Sequence, residues 1–394
     1  MAWGESALTH GDYAGAVTSA RDFLTALVAC DSTNPQLVPG GAGEGAVAAL
    51  LAGWLGEWGF EVEVSEVLPG RPNVVGRLRG TGGGRSLMLC GHTDVVGAEP
   101  AGFVPDVRDG IMRGRGVADM KGGLAAALEA GRRVAAAGRP LAGDLLIAGC
   151  IDEEWASAGA VALAADYPVD AVILPEQTNL ELVTEHGGFA WFEIESRGVE
   201  AAGIEPERGV DAIALLAPVL AEIGALDAEL AARPRAAYGR ASVHASTIAG
   251  GTQFPAYPKV ATLGVERCTL ADERWRDGEA ELEAILTRAR AADPRFDAVL
   301  HTVIGRDGVR LAEDERIVGV LAAAAGRRLG REARRRGDMG WMDSGIFAEA
   351  GIPCIIFGPT GGQEHSPEEW VELASVETCA DILEATARSF CGPG

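Results

Sequence analysis

Short apolar runs that break off into polar or glycine-rich residues recur along the first half of the chain and once near its end. Residues 86–90 lead into Gly91-His92-Thr93-Asp94, 144–151 into Asp152-Glu153-Glu154, 169–174 into Pro175-Glu176, and 352–357 into Gly358-Pro359. Runs that are apolar at nearly every position are strands buried on both faces, which predicts an α/β sheet. Residues 124–137 are rich in Ala and Leu and stop at Gly138, the composition and end signal of a helix. Near Gly188 the texture changes. Residues 189–196 alternate as a half-exposed strand does, and the spacing predicts a helix over 210–232, strands near 242–248 and 261–268, and a helix over 277–291. That succession is a small α+β unit, and the α/β texture resumes near Leu311. The main domain is therefore expected to be discontinuous, 1–188 with 309–394, interrupted by an insertion over 189–308.

Bulk properties narrow the function. The 394 residues carry a formal charge of −23, which argues against nucleic acid or an anionic membrane as the main partner. Acidity by itself signals solubility. The opening residues, Met1-Ala2-Trp3-Gly4-Glu5, have neither the basic nor the apolar stretch of a signal peptide. No apolar run reaches the roughly 20 residues of a membrane span. The seven cysteines are scattered and form no CxxC pair, so reduced thiols in the cytoplasm are expected.

The candidate chemistry gathers just past the carboxyl ends of the predicted strands, the edge at which open α/β sheets bind ligands. His92 is followed two residues later by Asp94, an acceptor for the other ring nitrogen of a ligating imidazole. Asp119 sits in the glycine-rich stretch 114–123, which lacks the order of a phosphate-binding loop but holds a carboxylate rigidly. Three adjacent carboxylates, Asp152, Glu153 and Glu154, repel one another unless a cation or proton intervenes. With a metal, one Glu ligates and its neighbour is free as a base. Glu176 ends another strand, and His365 follows the Gly361-Gly362 turn. Nitrogen and oxygen donors without thiolate favour Zn²⁺, and Mn²⁺ or Co²⁺ fit the same set. Five such ligands exceed one site if water must also bind, which points to two ions. His10, His186, His244 and His301 are read as structural or exposed.

The motifs GHTDVV, GRGVADMKGG, DEE, PEQT and EHSPEE, in this order, resemble the M20 metallopeptidases, which include acetylornithine deacetylase, succinyl-diaminopimelate desuccinylase, glutamate carboxypeptidase and the aminoacylases. The resemblance covers nearly the whole chain. It implies a mixed-sheet, zinc-peptidase-like α/β catalytic domain with an inserted α+β lid or dimerisation domain, two zinc-like ions, a homodimer, and hydrolysis of an amide in a small or peptide-like substrate. It implies that His92 and Glu176 hold one ion, Glu154 and His365 the other, and that Asp119 bridges them. Asp94 would orient His92, Glu153 would be the general base, needing a raised pKa for it, and Asp343-Ser344 would support the metal shell. Substrate contacts are expected from Arg267, Gly361 and Gly362. Three positions of one lid surface depart from the family pattern: Ala202 stands where a His is typical, Pro255 where an Asn is common, and Cys268 where an Arg grips the substrate carboxylate, unless Arg267 keeps that role. These departures point to a substrate other than a plain N-acyl amino acid. Acyl transfer or condensation at the same metals, and metal retention without turnover, stay open at this stage.

Overall fold

The structure is a computed structural model that describes residues 17–393. The opening residues and His10 lie outside that range. Two units divide the described residues: 17–184 with Leu311–Arg335 and 346–393, and Glu185–Arg310 with Arg336–Gly345. The second unit thus takes in a short stretch that the sequence reading assigns to the main domain.

In chain order the principal strands are β1 (Glu61–Leu68), β2 (Arg71–Leu78), β3 (Leu87–His92), β4 (Leu145–Cys150), β5 (Ala171–Leu174), β6 (Gly188–Arg197), β7 (Ser242–Gly250), β8 (Val260–Thr269), β9 (Asp297–Arg306) and β10 (Cys354–Ile356). The principal helices are α1 (Ala20–Ala29), α2 (Gly45–Glu57), α3 (Gly122–Ala136), α4 (Ala217–Ala232), α5 (Trp275–Ala292), α6 (Arg316–Leu329) and α7 (Leu373–Phe390).

The first unit is built on a mixed sheet in the order β1-β2-β4-β3-β5-β10, continued by the strand that begins at Leu182. β3, β4, β5 and β10 run parallel to their neighbours in that set, and β1 and β2 are antiparallel. Every residue of those four parallel strands is buried, as unbroken apolar runs require. Helices α1, α2, α3, α6 and α7 bring Leu24, Leu51, Leu128, Leu321 and Leu383 into its core, where replacing one such Leu by Ala costs about 2–5 kcal/mol. Because β3, β4 and β5 are parallel, His92, Asp152 and Glu176 emerge at the same edge. A smaller sheet pairs Gly361–Gly362 with Trp370–Glu372, and that strand with Ile111–Arg113. It anchors the last loop of the chain beside the glycine-rich stretch.

The second unit is an antiparallel sheet in the order β7-β8-β6-β9. β6 alternates between buried and partly exposed positions, and Phe192 and Ile194 meet Leu263 and Val265 of β8 in its core. Leu282, Ile285, Leu286 and Ala289 of α5 lie on one stripe at helical spacing and bury against this core. The helix expected over 210–232 is broken in two. A short piece, Ala212–Leu215, precedes α4, which restarts with Pro218 in its first turn, because proline has no N–H to continue an earlier helix and suits a helix start. β7 is an edge strand whose side chains are exposed from His244 onward.

Candidate metal centre

The five expected ligands of the first unit converge. His92 Nε2 lies 2.9 Å from Asp119 Oδ1 and 3.8 Å from Glu176 Oε1. His365 Nε2 lies 3.1 Å from Asp119 Oδ2 and 3.1 Å from Glu154 Oε2. One donor atom from each of His92, Asp119 and Glu176 falls within 4.8 Å of the others, as does one from each of Asp119, Glu154 and His365. The two oxygens of Asp119 therefore face two different imidazoles, the arrangement a bridging carboxylate needs.

Local structure explains the convergence. Asp119 lies in the turn Val117–Lys121, where its backbone and that of Met120 depart from helical geometry just before α3. The start of α3 presses on the residue before Glu176: a Cβ on Gly123 would come within 1.6 Å of the Pro175 carbonyl oxygen. Glu369 holds the turn from below. Its carboxylate accepts the N–H groups of Gly116, Ala118 and Asp119 at 3.0, 2.9 and 3.2 Å and an Nη1 donor of Arg115. Lys121, fully buried, donates Nζ to the Cys30 carbonyl at 2.9 Å. Burial, only partly offset by nearby acidic groups, lowers its pKa to about 8. Gly361 is required by packing, since a Cβ there would lie 2.9 Å from that of Ala118 and 2.8 Å from the Trp370 carbonyl oxygen. Gly362 pairs with Trp370 in the same small sheet.

The electrostatics suit a cation. Burial works against charge on His92, but Asp119, Asp94, Glu176 and Glu153 together hold its pKa well above the usual 6.5. Hydrogen bonds to Asp119 and Glu154 raise His365 to about 10. Burial would push Asp119 up, yet the two imidazoles keep its carboxyl far below the ordinary range. Burial raises Glu154 in spite of its contact with His365. Both imidazole positions therefore sit in an acidic field that would favour the positive charge of a bound metal ion. His92 is oriented to ligate through Nε2: its Nδ1 lies 3.0 Å from the main-chain carbonyl of Asp94, and Nε2 points at Asp119. The donor set, its spacing and the ring orientation all fit a pair of divalent ions.

Asp94 meets His92 through its backbone carbonyl, 3.0 Å from Nδ1. Its carboxylate stands 3.6 Å from Nδ1 and serves another purpose: Oδ1 accepts the N–H of Glu153 and Oδ2 that of Glu154, each at 3.2 Å. Burial acts to raise Asp94, and the His92 imidazole, the Asn34 amide and the Glu154 N–H outweigh it and hold the pKa low. Glu153 is half-buried, and its charge reaches His92.

The second unit treats its expected residues differently. Arg267 is 1% exposed. Its guanidinium is engaged by Glu281 at 2.9 Å, by Glu273 at 3.4 Å and by the Cys268 carbonyl, so it is a core ion pair with no face open to a substrate carboxylate. Ala202 bridges Ala256, and Gly203 donates to the Pro255 carbonyl, which makes Ala202 and Pro255 neighbours. Cys268 pairs with Ser242 and Phe189 near the far end of β8, eight residues from Val260, or about 27 Å along a strand. Ser344 bonds to His186 Nε2 at 2.6 Å, a partner within its own unit.

Sequence reading missed Asn34, Arg71, Arg115 and Glu369. Each acts by hydrogen-bonding backbone or a carboxylate; Arg115 and Glu369 lie within the quoted motifs, Asn34 and Arg71 outside them. All seven cysteines are free thiols, and Cys90 and Cys150 have sulfurs 3.7 Å apart. Among the described residues no helix is long and apolar enough to cross a membrane.

Comparison with known proteins agrees with this geometry. The N-formyl-4-amino-5-aminomethyl-2-methylpyrimidine deformylase of Bacillus subtilis (strain 168) is 28% identical over 371 residues, covering 86% of this chain and 87% of its own. The acetylornithine deacetylase of Proteus mirabilis (strain HI4320) is 28% identical over 362 residues, covering 88% and 90%. Among solved structures, a tripeptidase from Staphylococcus aureus superposes with a TM-score of 0.76 at 19% identity over 94% of this chain and 98% of its own. A dinuclear metal-binding M20 peptidase from Bacillus subtilis superposes with a TM-score of 0.68 at 16% identity over 94% and 97%. The profile of peptidase family M20/M25/M40 matches residues 88–389. The chain belongs to that family, and it is a metal-dependent amidohydrolase.

Proposed function

We propose that this chain hydrolyses the amide of a small N-acyl amine with two divalent ions, zinc by donor chemistry, held by His92 and Glu176 on one side, His365 and Glu154 on the other, and Asp119 between. The observation that carries this reading is Asp119, whose two oxygens each face a different imidazole Nε2. When bound, the ions supply Lewis acidity: they lower the pKa of a water and polarise the amide carbonyl. The carboxylate of Glu153 would take a proton from the attacking water as the water oxygen bonds to the carbonyl carbon. It would then return the proton to the amide nitrogen as the C–N bond breaks, releasing a carboxylic acid and an amine.

The substrate is taken to be something other than a standard N-acyl amino acid. Ala202, Pro255 and Cys268 offer no cationic group, and the guanidinium of Arg267 is already occupied. A relative named as the deformylase of an aminomethylpyrimidine supports a neutral amine portion. Residues 189–308 are assigned as the lid and dimerisation unit of a homodimer, which the exposed edge of β7 favours. Free cysteines throughout fit the cytoplasm.

The test is a kinetic panel in ¹⁸O-labelled water. N-formyl and N-acetyl derivatives of heteroaryl-methylamines are expected to turn over, with label in the released acid. Efficient turnover of N-acetyl-ornithine or N-acetyl-glutamate would overturn the substrate assignment. Unlabelled product acyl groups would replace hydrolysis by transfer.

A further inference from the structure

Behind the metal centre lies a buried polar network to which neither the comparisons nor the ligand set assigns a role. Asn34, in the loop after α1, is fully buried. Its Nδ2 donates to Asp94 Oδ2 at 2.8 Å and to Asp152 Oδ1 at 3.1 Å. Arg71, the first residue of β2, is 5% exposed and donates from Nη2 to the same Asp152 oxygen at 3.1 Å. It is held by the fully buried Glu44 through Nε at 2.8 Å and Nη2 at 2.6 Å, and by the Gln36 side chain through Nη1 at 2.9 Å.

What these groups hold is the turn that carries the chemistry. Asp152 has φ +70°, the left-handed region that few side chains adopt. Its carbonyl accepts the N–H groups of Trp155, Ala156 and Ser157, so its backbone sets the course of the turn. Asp94 fixes the N–H groups of the next two residues, Glu153 and Glu154. Two buried carboxylates, one on each side of the turn, repel each other unless a donor spans them, and Asn34 spans them with a single amide. Like-charged neighbours so constrained can hold a side chain to the fraction of an ångström that catalysis requires.

We propose that Asn34 and Arg71 are positioning residues. They clamp Asp94 to Asp152 and so fix where Glu153 and Glu154 project toward the reacting centre. The inference rests on the dinuclear hydrolase reading above, and the experiment separates the two. Wild type, Asn34→Asp and Arg71→Lys are compared as full-length chains for melting temperature without metal, zinc stoichiometry and affinity by chelator competition, and kcat and KM on the best amide of the panel. Asn34→Asp keeps the size but replaces both donors with an acceptor. Arg71→Lys keeps the charge but loses the fork that reaches Glu44 and Asp152 together. The expected result, per folded chain, is a fall in kcat of about 100-fold with KM within twofold, and affinity for one of the two zinc ions weakened about 10- to 100-fold. Saturating zinc should refill the site without restoring kcat. Should kcat and both zinc affinities stay within twofold of wild type in the folded variants, the proposal is overturned and the hydrolase reading stands. Loss of folded protein, with the surviving fraction as active as wild type, also overturns it, since the network would then support only the fold. A wild-type chain that binds fewer than two ions would overturn the dinuclear reading and the proposal together.

Discussion

At the residue scale, Asp119 and Arg267 make opposite predictions. Asp119 is shared by both ligand groups, so Asp119→Ala should empty both positions, whereas His365→Ala should empty one. Elemental analysis after dialysis checks this, and a single retained ion in Asp119→Ala would show that the carboxylate does not bridge. Glu153 belongs to neither ligand group. Glu153→Gln should therefore keep the ions while lowering kcat by about 10²–10⁴, the range of a general base. Arg267 is spent inside its own unit. Arg267→Met should cost about 3 kcal/mol, toward the low end for breaking a buried ion pair because Glu273 and Glu281 keep some water. Its KM should not move, and a large rise in KM measured beside urea unfolding would return Arg267 to the substrate.

At the element scale, the strand ending at His186 carries a pH dependence. His186 is buried between the Gly187 carbonyl and the Ser344 hydroxyl, with the Trp341 ring edge-on. Burial lowers its pKa below 6.5, and neither the Gly187 carbonyl nor the charge of Asp338 reverses that. The unfolded chain therefore binds the proton more readily than the folded one. Stability contributed by the neutral ring is full above pH 6.5 and is lost as pH falls below it, by at most about 1.4 kcal/mol per pH unit. Urea midpoints of wild type and His186→Gln should converge on acidification from pH 8 to 5.5, and parallel curves would refute the assignment. Elements also differ in how plainly the sequence announces them. β3, β4 and β5 are legible because both of their faces are buried, so every residue is apolar. β9 passes unnoticed because Ala298 is its only fully buried residue, which leaves no period to read. The ligands are legible for a related reason: each follows an apolar strand or a glycine turn, where a polar residue stands out. Asn34 and Arg71 have no such context. The carboxylates they hold lie from 27 to 118 positions away, and the local bond from the Gln36 N–H to Asn34 Oδ1 marks only a turn.

At the scale of the whole molecule, a formal charge of −23 is a self-repulsion that the fold must bear. Added salt screens it, so the melting temperature of the metal-free chain should rise between 20 and 500 mM NaCl, as read by calorimetry. A flat response would mean that salt weakens ion pairs such as Arg133 with Glu377 and Asp381 as much as it relieves the repulsion. β10 lies between β5 and the strand at Leu182 in the sheet, yet it comes after the inserted unit in the chain. A ribosome therefore releases the flanking strands of the first unit more than 160 residues before the one that closes the gap between them. Until then the nascent chain carries two unpaired strand edges in the middle of its sheet, the kind of surface that recruits wrong partners. His365 arrives later still, so a chain stalled just short of it has four of the five metal donors and an unfinished core: a span of synthesis in which a folding chaperone has most to protect.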